Sequence, residues 1–119
     1  MDRDLDDARD EDLSSDWRFA IAYNAALKLC TILLYGSGFR PERNRAHYRT
    51  LRALPEVLGA QRRADAAYLD ACRIKRNTVE YDYAGATTVD EAVELIRFAN
   101  TLRDDVLEWL RTNRPDLLT

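Results

Sequence analysis

Residues 17–35 form one uninterrupted stretch that is apolar around nearly the whole circumference of a helix. Phe19, Ile21, Tyr23, Leu27, Leu29, Ile32, Leu33 and Leu34 are spread over all sides, with alanines and Cys30 between them. A helix without a polar face belongs in the middle of a bundle or in an interface between subunits. Its length approaches that of a membrane span, but Lys28 falls near its centre. A charge there costs about 2.5–3.5 kcal/mol on insertion, so the sequence predicts a core helix and no membrane partner. Ser14 or Ser15 is placed to cap its start, Asp16 favours its positive end, and Gly36 or Gly38 can close it.

Three further segments read as helical. Pro41 opens the next one, where Tyr48, Leu51, Leu54 and Leu58 recur at helical spacing, Pro55 must break or re-initiate the helix, and Gly59 ends it. Another runs from about residue 61 to 84, rich in alanine and free of Gly and Pro until Gly85. The last has the best start signal in the chain, Thr88-x-x-Glu91, a capping box. Ala92, Val93, Ile96, Ala99, Leu102, Val106 and Leu110 then keep the 3.6-residue period up to Pro115. No run alternates with period two. Four glycines and three prolines are too few for a turn-rich β fold. With 119 residues and 46% hydrophobic content, one core is what the chain can build. The expectation is an all-α, up-and-down bundle of four to five helices over residues 14–119, preceded by an acidic N-terminal arm at 1–13.

Charge is unevenly distributed. The net charge of −3 conceals about −6 over residues 1–16, +6 over 40–76 and −5 over 77–119. Sixteen of the eighteen basic side chains are arginine, the residue suited to planar, bidentate phosphate contacts. Arg45, Arg49 and Arg52 share one helix face beside Tyr48, an arrangement that suits a phosphate-binding rim but equally a solvated charged surface. Two cysteines and one histidine cannot furnish a four-ligand zinc site, so neither metal nor cofactor is expected. No export signal is evident, and a cytoplasmic setting is expected.

The third helix carries the sharpest pattern. Arg73, Arg76, Asn77, Glu80 and Asp70 fall on one face, and Ala64, Ala67, Ala71, Ile74, Tyr68 and Cys72 on the opposite one. The wheel predicts a packed alanine face and an open polar face. The i,i+4 pairs Arg76–Glu80 and Arg73–Asn77 are also what an ordinary exposed helix surface shows, each worth only about 0.2–0.5 kcal/mol.

The run Arg76-Asn77-Thr78-Val79-Glu80-Tyr81-Asp82-Tyr83 resembles the end of the third helix of HEPN domains, small helical bundles associated with RNA and nucleotides. The Ala-Tyr-Asn-Ala-Ala stretch of the long apolar helix and its Tyr-Gly-Ser-Gly-Phe-Arg-Pro exit are similar too, so the resemblance covers about residues 16–114. It implies catalytic positions at Arg76 and Asn77, with Glu80 and Tyr81 beside them and Arg73 as a further phosphate contact. Tyr81 stands where the active ribonucleases carry histidine. Histidine titrates near neutrality and tyrosine near ~10, so the phenol is a poor base at pH 7. The resemblance therefore implies an RNA- or nucleotide-binding protein of a toxin–antitoxin or defence system whose metal-independent ribonuclease chemistry is weakened or lost. It further implies a homodimer with the motif at its interface, a nucleotidyltransferase-fold partner, and Tyr83 as an acceptor of adenylyl groups. His47, the one histidine, lies outside the motif helix. The alternative is a non-catalytic helical module for dimerisation or protein docking.

Overall fold

The computed structural model describes Ala8 and residues 14–38, 50–81 and 87–118, with the helical backbone alone at 78–81. Every regular element among the described residues is helical, as expected. Helix α1 (Ser15–Gly36), helix α2 (Arg63–Tyr81) and helix α3 (Val89–Asn113) form the frame. A π-helical turn at Leu54–Leu58 and short 3-10 turns at Ala60–Arg62 and Pro115–Leu118 complete it.

The ends follow from local chemistry. Ser14 is extended, and its hydroxyl accepts from the Trp17 amide at 3.2 Å. At the far end Gly38, not Gly36, takes the left-handed conformation (φ +94°), and its amide bonds to the Tyr35 carbonyl at 3.0 Å. Gly36 stays helical because α1 and α3 approach too closely there for a side chain. A Cβ at Gly36 would lie 2.8 Å from the Trp109 ring. Arg114 closes the same corner by donating to the Gly36 carbonyl at 2.9 Å. Pro55 lies in the first turn of the Leu54–Leu58 segment, and Gly59 ends it at φ +120°. Both bonds of the Thr88–Glu91 capping box are present, at 3.1 and 2.9 Å.

Helix α1 lies at the centre, packed most extensively along α3 and also against α2 and the Leu54–Leu58 turn. Tyr23, Leu29 and Leu33 from α1, Leu51 and Leu54, Leu69 from α2, and Leu95 and Val106 from α3 are almost wholly buried. Each contributes on the order of 1.5–3 kcal/mol of burial. By length and composition α1 could cross a membrane, and 56% of its most apolar window is buried within the fold. Two polar ties fix its N-terminal end. The carboxylate of Asp16 accepts from the Thr87 amide at 3.1 Å and from the Thr87 hydroxyl. Arg18, buried, donates from Nε to the Ala8 carbonyl at 2.8 Å.

Helix α2 corrects the wheel. Its alanine face is the open one: Ala64, Ala67 and Ala71 are exposed, and Ile74 is 55% exposed. Cys72 is buried as the wheel expects, but beside it Leu69 is buried too, on the side that also carries Arg76. A row of methyl groups offers little area to bury, so one leucine and one thiol decide the rotation. Salt bridges hold that orientation against α3, Arg62–Asp105 at 2.8 Å and Lys75–Glu91.

Two outcomes follow from these contacts. Alanine for glycine inside a helix ordinarily gains about 0.5–1 kcal/mol. Against the Trp109 ring, overpacking should cost about 1–3 kcal/mol, so Gly36→Ala should lower the urea midpoint, whereas an unchanged or higher midpoint would contradict the close approach. The second concerns Glu91. Its hydrogen bonds from Lys75 and from the Thr88 amide hold its carboxyl below the ordinary value of 4.5. Its stabilisation is therefore present above that value and lost as pH falls through the lowered one. Urea midpoints of Glu91→Gln should lie below those of the natural protein at pH 7 and converge with them well below pH 4.5.

Candidate anion-binding site between helices α1 and α2

The turn of α2 that buries Leu69 and Cys72 carries Arg73, Arg76 and Asn77 to the flank of α1. All three are half-buried. Beneath them lies Tyr23, with no exposed surface. The Arg76 guanidinium carbon stands 5.5 Å from the centroid of the Tyr23 ring, within cation–π range, and Arg76 Nε is shielded from solvent. Arg73 sits one turn back and donates from Nε to Asp70 Oδ1 at 3.0 Å.

Burial pushes the Tyr23 phenol up to about 12, opposed by the positive fields of Arg73 and Arg76. The phenol is therefore a neutral group at physiological pH. It can donate a hydrogen bond but cannot serve as a base. One guanidinium over a buried aromatic ring, Arg76, with a second, Arg73, paired to Asp70 one turn back, places fixed positive charge and planar donors in an environment drier than bulk water. Guanidinium groups are donors only, so they can bind a phosphate and stabilise developing charge but do not move a proton.

The structure thus brings Arg73, Arg76 and Asn77 together and adds Tyr23, which the sequence suggests only as core. The signal was available in principle. A phenol in the buried sector of α1 needs polar company, and the arginine face of α2 is the matching stripe. Arg52 is engaged elsewhere, in an exposed pair with Glu56 at 3.4 Å. Such a solvated pair contributes little to stability. The side chains of Glu80 and Tyr81, and all of Arg45, His47, Arg49 and Tyr83, lie outside the described residues.

A cleft of about 140 Å³ opens between Phe19, Tyr68, Ala71, Cys72, Lys75, Glu91 and Glu94. Tyr68 stacks at a tilt on Phe98, ring centroids 4.9 Å apart. Burial pushes the Cys72 thiol up to about 11 and that of Cys30 up to about 12. Both are protonated, unreactive core thiols at neutral pH, and the cleft presents no activated nucleophile. Among the described residues no group of His, Cys, Asp and Glu is arranged to hold a metal ion.

Comparison with known protein families, with curated proteins and with solved structures gave no match to this chain.

Proposed function

We propose that this chain is a HEPN-like protein that binds RNA through the arginine face of α2, with its ribonuclease chemistry weakened or lost. The observation that carries the reading is the Arg76 guanidinium stacked on the buried Tyr23 ring with Arg73 beside it. A ring beneath the cation restricts its motion, so its N–H donors are pre-arranged for a phosphate. The basic character of residues 40–76 supports the same reading, with Arg45 and Arg49 as flanking phosphate contacts and Arg52 joining them by exchanging its exposed pair with Glu56 for a phosphate. A protein that holds phosphates but has tyrosine at the position of the catalytic imidazole retains binding and loses proton transfer.

Fluorescence anisotropy with a labelled single-stranded RNA tests the reading. Affinity should fall steeply between 50 and 200 mM salt, as counterion release requires. Arg76→Ala and Arg73→Ala should each weaken binding about tenfold or more, the scale of one lost hydrogen bond to a charged group. Each should also flatten the salt slope by about 0.7 per lost phosphate contact. Cleavage of the same RNA without metal should be negligible, and Tyr81→His should raise it. Absence of RNA binding at low salt, or vigorous cleavage that survives Arg76→Ala, would overturn the proposal.

A further inference from the structure

The cleft of about 140 Å³ between α1, α2 and α3 takes no part in the arginine face, and its lining divides into two kinds. Phe19 and Cys72 are buried core side chains and, with the methyl group of Ala71, give it an apolar surface. Tyr68 adds an aromatic wall that is fixed at both ends. Its ring packs on Phe98, centroids 4.9 Å apart, and its hydroxyl is hydrogen-bonded with Glu94 and Cys72. A space of that volume matches one six-membered ring, the scale at which apolar protein cavities take up benzene.

The charged side chains of the lining are Lys75, Glu91 and Glu94. Lys75 and Glu91 balance one another. Both carboxylate oxygens of Glu91 are engaged, one with Lys75 Nζ and the other with the Thr88 amide at 2.9 Å. Glu94, one turn further along α3, is exposed and accepts from the Tyr68 hydroxyl, which brings no compensating charge. The cleft therefore carries one negative charge in excess, and the net −5 of residues 77–119 strengthens the attraction for cations.

We propose that this cleft binds a small organic ammonium ion: a single ring, or an alkyl group of that size, carrying one protonated amine. The apolar body displaces water from Phe19, Cys72 and Ala71, and the ammonium donates to the Glu94 carboxylate at the mouth, with the Tyr68 ring as a cation–π neighbour. Because Glu91 is already closed by Lys75, the site takes one positive charge and not two. An anion of the same shape meets Glu94, and a neutral molecule gains only the apolar contact. Neither Arg73 nor Arg76 lines the cleft, so this inference and the RNA-binding proposal can fail separately.

Amide chemical-shift titration of the whole chain with benzylamine at pH 7 and low salt provides the test, with benzyl alcohol and benzoate as neutral and anionic molecules of the same shape. Benzylammonium should bind saturably with a Kd of roughly 1 mM, ordinary for a ligand of this size. The shifts should centre on the lining residues. Benzyl alcohol should bind about tenfold more weakly, the scale of a charge-assisted hydrogen bond, and benzoate more weakly still. Glu94→Gln should weaken benzylammonium about tenfold and leave benzyl alcohol unchanged. Ala71→Leu, which extends a side chain into the cleft, should abolish binding of both. Helical circular dichroism should be unchanged in both variants, because Glu94 and Ala71 are exposed. No saturable binding of benzylamine would overturn the proposal. So would equal affinity for benzyl alcohol or benzoate, an affinity that Glu94→Gln does not alter, or binding that survives Ala71→Leu.

Discussion

Burial of one sector of α1 against α3 is the contact on which the other placements depend. Ala22, Ala25, Ala26, Leu29, Cys30 and Leu33 of α1 share one buried core with Leu95, Ala99, Leu102 and Val106 of α3, and no other pair of the described helices packs as extensively. The small residues bring the axes close, and at Gly36 the approach leaves no room for a methyl group. Once α1 and α3 are locked, α2 has only the groove beside them to occupy. Its rotation is then set by what it must bury, Leu69 and Cys72, and by ion pairs from Arg62 and Lys75 to Asp105 and Glu91 on α3. Arg76 comes to rest on Tyr23 as a consequence of that rotation.

The sequence is most legible where local chemistry decides and least where tertiary packing does. The caps at Ser14 and Thr88, the stop at Pro115 and the break near Pro55 each follow from a hydrogen bond or a missing one within a few residues. Those placements agree with the structure. The end of α1 was legible only as a choice between Gly36 and Gly38. The deciding fact, the Trp109 ring, lies over seventy residues away in sequence. The facing of α2 was misread for a related reason. Hydrophobic labels count an alanine as core, but the area it can bury is small. A single leucine on the other side outweighs three alanines.

For the candidate site, the polar stripe was readable and its setting was not. Spacing alone puts Arg73, Arg76 and Asn77 on one face and leaves open whether that face meets solvent. Their half-burial, and the placing of Arg76 against a tyrosine from another helix, are long-range facts with no local signature. The positive field that this places on the Tyr23 phenol is smaller than the effect of burial, so the phenol stays protonated despite two nearby guanidinium groups. The same comparison explains the chemistry available. Burial that raises a phenol or a thiol removes it from proton transfer at neutral pH, and the described residues hold four such groups, Tyr23, Cys30, Tyr68 and Cys72.

An arginine that folds onto an aromatic ring has two free-energy terms that oppose one another. Ordering the side chain costs up to about 2 kcal/mol of rotamer freedom, and the cation–π contact returns about 0.5–2 kcal/mol depending on how dry the site is. The balance is near zero for the free protein, so stability alone gives little reason for Arg76 to sit where it does. For a phosphate ligand the position is different, because the ordering has already occurred before binding and the ligand does not meet that cost again. Replacing Tyr23 by an aliphatic residue of similar bulk would keep the core filled but remove the platform. The loss would then be felt chiefly in affinity, with folding little changed. A guanidinium held for folding and one held for recognition therefore differ in where the energy reappears.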